Sequence, residues 1–413
     1  MRLLSKRSRL ALRRRRRLRA GLAQLVYMLI AFVLALKLPD VSIWFTVSSS
    51  EAIDALLAVG IGMVAFIGLV YSLLFLVVQF GATTFTPRLN LFRDSRIVWN
   101  AFGFYVGVIV FSLTAAFTID RDVPTSGLVP IALTVNLLVT IVLFRALQTA
   151  AFRSLELAAT LAQVRKRGRQ VIAEVHPAGF ETGVADSAGS EGLVPEEIDG
   201  IGHDVLWRGD SEVLQVIDLP GLVLTATNAD VFVELPLAPG ETVGDGNVVA
   251  VVHGAGDADG RLDEQVIKAL TLGLERTFEQ DPRFALRVLA DIALRALSPA
   301  INDPSTATQT LDSLDDLLRM LLSRNLGPGR ATDTDGVTRV AFTLPDWDEY
   351  VGLALDEIIS FGADSSQVRA RLDRLLVDLI AVAPPARRFP LESRLLELRG
   401  LGRRTAPGRQ AEK

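Results

Sequence analysis

The sequence predicts an α-helical membrane bundle of four transmembrane helices, followed by an α+β cytoplasmic domain that contains a small β-barrel-like unit and a helical unit. Half of the 413 residues are hydrophobic, and the mean hydropathy is +0.35 although 22% of the residues are charged. Long apolar runs lie in the first third of the chain, and short apolar runs separated by polar turns follow. This division is typical of a membrane domain joined to soluble units.

Four apolar runs are long enough to be membrane spans. They cover residues 21–38, 55–80, 97–119 and about 128–144. The first follows an arginine-rich arm that resembles a signal peptide, but further spans follow it, so we interpret it as an uncleaved helix. The second and third runs contain no charged residue. The sequence therefore predicts a transmembrane domain over residues 21–147.

Basic residues alternate with acidic ones along the connecting segments. Residues 1–20 hold ten Lys or Arg and no acid, whereas the remainder of the chain has 33 basic and 47 acidic side chains. Loop 81–96 and the segment after the fourth run are also basic, whereas loops 39–51 and 120–127 are mainly acidic. Because basic loops stay in the cytoplasm, we expect a multi-pass protein of the cell inner membrane with both termini cytoplasmic. The arm 1–20 is expected to contact anionic lipid headgroups.

The loop between the second and third runs is a candidate gate or lipid-facing loop. Its candidate residues are Gln79, Thr83, Thr84, Pro87 and Arg88. The threonines can satisfy backbone groups where the helix ends, and proline stops a helix. The arginines of this loop would then face anionic lipid headgroups. The alternative to this lipid-facing loop is a cytoplasmic gate at the mouth of a pore.

Two features inside the spans are suited to contacts between helices. Asn136 lies in the middle of the fourth run, where it predicts either an interhelical hydrogen bond or a pore-lining group. The sequence "GFYVG" at Gly103 to Gly107 has the spacing that permits close helix approach, within the bundle or between subunits.

The cytoplasmic half divides by composition. Its predicted parts are a juxtamembrane helix (148–176), a linker (177–202), a small β unit (203–260), a helical motif unit (261–325), a C-terminal strand and helices (326–401) and a disordered tail (402–413). Within them, 326–336 reads as a second linker. The β unit contains "APGETVGDGNVVAVV", which resembles the turns of biotinyl- and lipoyl-like barrels. Its turn has no lysine, which excludes a swinging-arm role.

The stretch "ERTFEQDPRFALRVLADIALRALSPAINDPSTA", residues 275–307, is hereafter the motif segment. Asp281 and Asp303 each precede a proline, the arrangement of a helix N-cap followed by the first helical residue. Between them Arg287, Asp291 and Arg295 recur every four residues in an otherwise apolar helix, so they form one narrow charged strip.

Two explanations of the charged strip stay open. One is a structural ladder of i,i+4 ion pairs, which contributes about 0.3–0.5 kcal/mol per pair. In the other, the second arginine pairs with Glu275, Glu279, another subunit or an anionic ligand, aided by the backbone amides near 302–306. The candidate ligand or partner residues are Glu275, Arg276, Asp281, Arg287, Asp291, Arg295, Asn302 and Asp303.

Several classes of site find no support in the sequence. Cysteine is absent, which excludes disulfides, thiolate nucleophiles and cysteine-ligated metals. His203 and His253 are too isolated to predict a metal site, and His176, before a proline, suits a structural role at a helix end. There is no P-loop or dinucleotide fingerprint. We therefore predict no catalytic residue, metal, cofactor or nucleic-acid partner; a hydrolase using Glu275 or Asp303 stays an open alternative.

The motif segment and the loop "QFGATTFTPRL" resemble a family of bacterial predicted membrane proteins, domain of unknown function 2254. The matching residues include "ERT", "QDP", "DIALRALSP" and "NDP", and the resemblance covers roughly residues 50–400. It implies the same order of parts, with four spans, a β unit with a "PG…V…G" turn, and helices. It implies no catalytic residue.

Two functional hypotheses follow. The first is a membrane-anchored oligomeric module whose cytoplasmic part binds, senses or assembles with a partner. The alternative is an oligomeric ion channel or pore with a cytoplasmic regulatory domain. The expected partners are the lipid bilayer, further copies of the chain, and a small anion or ion.

Overall fold

The computed structural model contains two compact units, Leu10–Ala159 and a second unit whose main part is Thr160–Lys413. The residues that it describes are 6–41, 45–84, 96–180, 202–254 and 260–405.

The first unit is a bundle of four helices. They are α1 (Lys6–Lys37), α2 (Ser49–Thr84), α3 (Arg96–Thr118) and α4 (Leu128–Leu155). These helices are built from the four apolar runs of the sequence, and they extend beyond the runs at several ends.

Three of the helices contain stretches that are long and apolar enough to cross a membrane. They are Ser49–Gln79, Ile97–Thr118 and Leu128–Arg153, found among the residues that the structure describes. The predicted first span, 21–38, coincides with the second half of α1 but is not among these three. Three spans are thus supported by the structure, and the fourth stays a prediction.

Helix directions alternate in the bundle. One buried cluster joins the end of α1 (Ala35), the start of α2 (Ile53), the end of α3 (Phe111) and the start of α4 (Val129). A second cluster joins later residues of α2 and α4 to the start of α3, around Tyr105. Helices α1 and α3 therefore run one way, and α2 and α4 run the other way.

The connections after α1 and α3 meet at one end of the bundle. There β1 (Thr46–Val47) pairs antiparallel with β2 (Thr125–Ser126). The amide of Gly127 donates to the carbonyl of Phe45 at 3.2 Å. A Cβ at Gly127 would lie 2.1 Å from the Phe45 ring, so this close approach requires glycine. The two loops with acidic composition therefore lie at the same end.

The glycines of "GFYVG" contact a helix within the same bundle. A Cβ at Gly103 would lie 2.9 Å from Cδ2 of Tyr27, and one at Gly107 would lie 3.4 Å from the carbonyl of Tyr27. Among the described residues, the side chain of Asn136 has no hydrogen-bond partner, so the predicted interhelical bond is not found; its carbonyl accepts from the Thr140 hydroxyl at 2.8 Å.

The second unit begins after a break in the chain's helix. The predicted juxtamembrane helix, 148–176, is split at Glu156, which is extended, so its first part is the end of α4 and the rest is α5 (Leu157–Val175). In α5, a Cβ at Gly168 would lie 2.9 Å from side-chain carbons of Ala285 and Leu317, which places this helix against the helical layer described below.

Eight strands form two open sheets in this unit. In chain order they are β3 (His203–Leu206), β4 (Glu212–Ile217), β5 (Phe232–Leu235), β6 (Thr242–Val243), β7 (Val248–His253), β8 (Leu270–Gly273), β9 (Gly329–Thr332) and β10 (Thr338–Phe342). The five-stranded sheet has the order β3-β7-β5-β10-β9 and the three-stranded sheet has the order β6-β4-β8. Among the described strands, only β5 and β10 pair in parallel. The described strands form no closed barrel, so the barrel-like form predicted for 203–260 is not found.

In the described part of this unit, two strands lie where the sequence predicted none. Strand β8 falls inside the predicted helical unit 261–325, and β9 falls inside the predicted linker 326–336. Both are four-residue edge strands, too short for a periodic signal. Each is specified by its neighbour, β4 or β10, which lies elsewhere in the sequence.

Helices cover the sheets and form a second core. Two short helices belong to the β region, α6 (Leu219–Ala229) and α7 (Arg261–Ala269). The helical layer contains α8 (Pro282–Leu297), α9 (Pro304–Leu322), α10 (Trp347–Gly362), α11 (Ser366–Val382) and α12 (Arg388–Thr405). Helix α8 packs between α9 and α10, and ten of its side chains are buried. Because α12 continues to Thr405, the start of the predicted disordered tail is helical; 406–413 lie outside the described residues.

Candidate functional site

Gln280 joins the motif segment to the sheet. Its side-chain amide donates to the carbonyl of Ile217 at 3.0 Å and accepts from the amide of Ile217 at 2.8 Å. The side chain thus satisfies the backbone at the end of β4 as a neighbouring strand would. Gln280 is buried, so this pair fixes where α8 begins.

Asp281 combines a helix cap with a buried ion pair. Its Oδ1 accepts from the amide of Phe284 at 3.1 Å, and its Oδ2 accepts from Nε of Arg276 at 2.8 Å. Only 1% of the residue is exposed. Burial raises the pKa of Asp281 above its ordinary value, although the guanidinium of Arg276 acts in the opposite direction. Gly240 has a φ of +97° and lies so close that a Cβ would be 2.2 Å from Oδ2 of Asp281.

Arg283 holds the same turn from the first turn of α8. Its Nη2 donates to the carbonyl of Pro239 at 3.3 Å and to the carboxylate of Glu241 at 3.2 Å. The "PG" turn of the β unit and the "QDP" sequence of the motif segment therefore meet in the fold. Gln280 and Arg283 therefore attach the start of α8 to β4 and to this turn.

Arg287 is fully paired within the fold. Its Nε donates to Oδ1 of Asp291 at 2.8 Å, and its Nη1 donates to Oε1 of Glu357 on α10 at 2.7 Å. These partners raise the pKa of Arg287, with the hydrogen bond to Glu357 as the largest cause. Glu357 was not among the predicted partners. The side chain of Glu275 is exposed, and its carbonyl accepts from Nε2 of Gln215 at 2.7 Å.

Arg295 differs from Arg287. Its side chain is partly buried, and it makes no ion pair with any residue that the structure describes. Its Nε is buried and has no hydrogen-bond acceptor. The predicted ladder is therefore half formed, because Arg287 and Asp291 pair and Asp291 and Arg295 do not.

The motif segment ends in a capped helix start. Asp303 accepts from the amide of Thr306 at 3.1 Å and from its hydroxyl at 2.6 Å, and these bonds hold the pKa of Asp303 below its ordinary value. Asn302 is exposed and adopts a φ of +47°. The carboxylate of Asp303 already occupies the Thr306 amide, which reduces the anion-binding potential expected there.

The structure describes part of the predicted gate loop. Gln79 is exposed on α2, and Thr83 and Thr84 are the last two residues of that helix. Pro87 and Arg88 lie outside the described residues. The roles assigned to this loop stay predictions.

Buried polar contacts that the sequence did not indicate hold the helical layer together. His176 lies 3.1 Å through Nδ1 from the carbonyl of Asn325 and 2.9 Å through Nε2 from the hydroxyl of Tyr350. Burial raises the pKa of Tyr350 well above its ordinary value. With Nδ1 donating to the carbonyl, Nε2 accepts the tyrosine proton, which suits a neutral imidazole. The sequence assigned His176 a structural role, but gave no sign of these partners.

Arg387 is a second buried group that the sequence analysis missed. Its Nη1 donates to the carbonyls of Leu321 and Leu322 at 3.1 and 2.8 Å, which caps the end of α9. The guanidinium lies 4.4 Å from the centre of the Phe180 ring. Its neighbours are distant in sequence, so local spacing carries no signal for them.

The isolated histidines of the β unit have carboxylate neighbours. Nε2 of His203 lies 2.9 Å from Asp263, and Nε2 of His253 lies 3.2 Å from Glu234. Each is one histidine with one carboxylate.

Comparison with known proteins gives a consistent result. An uncharacterized protein of Mycobacterium tuberculosis, Rv1290c, is 27% identical over 367 residues, which is 85% of this chain and 68% of the relative. The uncharacterized protein Mb1321c of Mycobacterium bovis matches with the same identity and coverage. No solved structure matches this chain.

The family model described as "Predicted membrane protein (DUF2254)" matches residues 18–378, which include the three apolar helices and the motif segment. The resemblance noted from the sequence is therefore confirmed, and a location in a membrane fits both results. The chain belongs to the DUF2254 family of predicted membrane proteins.

Proposed function

We propose that the chain is a membrane-anchored binding module whose second unit faces the cytoplasm and docks a carboxylate of a partner chain on Arg295. The observation that carries this proposal is the contrast within the charged strip. Arg287 and Asp291 are paired inside the fold, whereas Arg295 has no ion-pair partner among the described residues. The positive charge of the strip is therefore left at Arg295.

The energetics favour an external partner for this arginine. A buried donor without an acceptor costs about 1–3 kcal/mol. The side chain as a whole is only partly buried, so a carboxylate of a partner chain can approach its guanidinium and form a charge-assisted pair. One carboxylate balances the charge of one guanidinium, and a carboxylate of a partner chain would pair with Arg295 as Glu357 of α10 pairs with Arg287.

Four spans with both termini in the cytoplasm are part of the proposal. Helix α1 lies along α3 at Gly103 and Gly107, and Leu22 and Leu29 on α1 are 59% and 63% exposed, as suits contact with lipid. The acidic loops meet through β1 and β2, so the basic segments belong to the other end. The positive-inside rule then assigns the basic end to the cytoplasm, with the arm 1–20 at anionic headgroups of the inner membrane.

An oligomer is the second part of the proposal. The half-buried side chain of Asn136 has no hydrogen-bond partner among the described residues, although it lies in the middle of a span. Hydrogen bonds between helices in a bilayer contribute about 1–2 kcal/mol in model peptides. A carboxamide both donates and accepts, so two copies can satisfy each other. Asn136→Leu is expected to shift the full chain in mild detergent towards a smaller species by light scattering; an unchanged mass would contradict this role.

The Arg295 site is tested with a glutamate-rich peptide as the carboxylate probe, added to the full chain in detergent. Arg295→Gln is expected to abolish saturable binding while the thermal unfolding midpoint stays close to that of the parent chain. Arg208→Gln, an exposed arginine on the same unit, is the matched control and should bind normally. Equal binding by both variants would overturn the proposal. So would a loss of several kcal/mol in Arg295→Gln without a change in binding, which indicates a structural charge.

Topology and the channel alternative need separate measurements. A reporter fused to the carboxyl end is expected to be active in the cytoplasm; activity outside it would contradict the four-span arrangement. Reconstitution in liposomes separates the two functions, because saturable ion flux would favour the pore and no flux is expected of a binding module.

A further inference from the structure

A groove of about 710 Å³ lies between α11 and α12. Its lining residues are Ser366, Arg369, Ala370, Asp373, Arg374, Val377, Leu398 and Arg399. Six of the eight come from α11 at successive intervals of three and one residues, so they share one face of that helix. The volume lies in the range of small-molecule sites, about 300–1,000 Å³.

The groove has an excess of positive charge. Three arginines face one carboxylate, and that carboxylate, Asp373, pairs with Arg399 at 2.7 Å. Arg369 donates one N–H to the carbonyl of Ala363 at 3.0 Å and keeps its other donors. Arg374 is exposed and has no partner among the described residues. Two guanidinium charges therefore remain without a neutralising carboxylate in the groove.

We propose that the α11–α12 groove binds a phosphate group through Arg374 and Arg369, with the hydroxyl of Ser366 as a further donor. Guanidinium groups match phosphate oxygens with paired N–H donors, and two of them balance a dianion. Arg399, held by Asp373, borders the same space and adds donors at its rim.

The apolar part of the groove restricts the ligand further. Ala370, Val377 and Leu398 are the apolar lining residues, and Val377 is 41% exposed. A phosphate ester with an apolar portion next to the phosphate can contact these residues, whereas a bare inorganic ion leaves them uncovered. The phosphate belongs either to a lipid headgroup or to a soluble phosphate ester. In both cases the same arginines of the groove would bind it.

This site is independent of the carboxylate site proposed above, because neither Arg295 nor any other strip residue lines the groove. The two proposals fail separately, since Arg295→Gln leaves the groove intact and Arg374→Gln leaves the charged strip intact.

The test uses the full chain in nanodiscs of neutral phosphatidylcholine. One arm titrates phenyl phosphate, a soluble phosphate ester with an apolar group, and the other titrates a short-chain phosphatidic acid; binding is measured by calorimetry. Saturable binding is expected in at least one arm, and Arg374→Gln is expected to weaken it roughly tenfold or more, as for a lost hydrogen bond to a charged group. Ser366→Ala is expected to weaken it less. Arg208→Gln and Arg295→Gln should bind as the parent does.

Each outcome decides the proposal. Binding of phenyl phosphate as tight as that of phosphatidic acid identifies a soluble phosphate ester as sufficient, and preference for phosphatidic acid identifies a lipid headgroup. Absence of saturable binding in both arms overturns the site. Equal weakening by Arg374→Gln and Arg208→Gln also overturns it, because binding would then depend on net charge alone. Since Arg374 is exposed, the circular dichroism spectrum of Arg374→Gln should equal that of the parent chain. An unchanged spectrum shows that weaker binding is not caused by misfolding.

Discussion

The two ends of the motif segment use the same residue types for different purposes. At its start Asp281 caps α8, pairs with Arg276 and is 1% exposed, and Arg287 is held by two carboxylates. At its end Asp303 caps α9 from a partly exposed position, and Arg295 has no described ion-pair partner. The pKa shifts of the two capping aspartates are opposite in sign. The same Asp-Pro pattern therefore predicts the helix cap at both positions but not how deeply the carboxylate is buried. The burial determines how much each aspartate contributes to stability.

The largest expected effect is that of Asp281→Ala. It removes the cap of α8 and leaves Arg276, whose Nη2 is already buried, without its carboxylate. Breaking a buried pair and a cap together should lower the free energy of unfolding by about 3–5 kcal/mol. Urea unfolding of the full chain in detergent, followed by circular dichroism, measures this. A loss no larger than that of Asp303→Ala would contradict the assigned difference between the two ends.

The pH dependence sharpens the same comparison. Because burial raises the pKa of Asp281 in the folded protein, the folded state binds this proton more tightly than the unfolded chain does. Its contribution to stability therefore falls as pH rises from the ordinary aspartate pKa to the raised one, and it stays constant above that window. The difference in free energy of unfolding between the parent chain and Asp281→Asn should therefore fall with rising pH across this window, and urea unfolding at several pH values measures it.

The second prediction concerns Gly240, which lies against the buried carboxylate. Gly240→Ala would place a Cβ 2.2 Å from Oδ2 of Asp281 at a φ of +97°. Overpacking of this kind costs about 1–3 kcal/mol, in addition to the cost of the positive φ. Gly246→Ala is the matched control, since Gly246 has a φ of +79° and no atom within 4 Å of the added Cβ. Equal losses for the two variants would mean that backbone strain alone accounts for the effect.

The sequence predicted what depends on local spacing. Both Asp-Pro caps, the first residues of α8 and α9, and the narrow charged strip follow from helical periodicity and capping chemistry. Three of four spans follow from length and hydropathy. Gly103 and Gly107 also contact a helix as their spacing indicates.

Features that depend on partners distant in sequence were missed. Nothing near Arg287 indicates Glu357, and nothing near Gln280 indicates that its side chain pairs with Ile217. The same holds for Arg387 at the end of α9 and for the edge strand β8. The half-formed ladder could not be predicted either, because local spacing does not show that Asp291 pairs with Arg287 alone and that Arg295 finds no ion-pair partner among the described residues.

The third prediction is a moderate loss of stability when the N-cap of α9 is removed. Asp303→Ala should lower the free energy of unfolding by about 1 kcal/mol, the typical cost of losing an N-cap. Thr306 holds the pKa of Asp303 below its ordinary value, so this contribution is present above the ordinary aspartate pKa and is lost as pH falls through the lowered one. Urea unfolding at neutral and acidic pH measures it. An effect that grows on acidification would contradict the assignment.

The smallest expected effect on stability is that of Arg295→Gln. This change removes a buried Nε donor that has no acceptor, which is favourable, and it also removes packing of the partly buried side chain, which is unfavourable. Because the two effects oppose each other, the free energy of unfolding should change by less than about 0.5 kcal/mol. Arg287→Gln on the same strip is the reference, because it leaves Asp291, with 16% of its side chain exposed, without that arginine and should cost more. The two variants differ only in position, so urea unfolding measured side by side isolates the effect of having a partner. If Arg295→Gln proved as destabilising as Arg287→Gln, the charge at Arg295 would already be satisfied within the chain and would have no need of an external carboxylate.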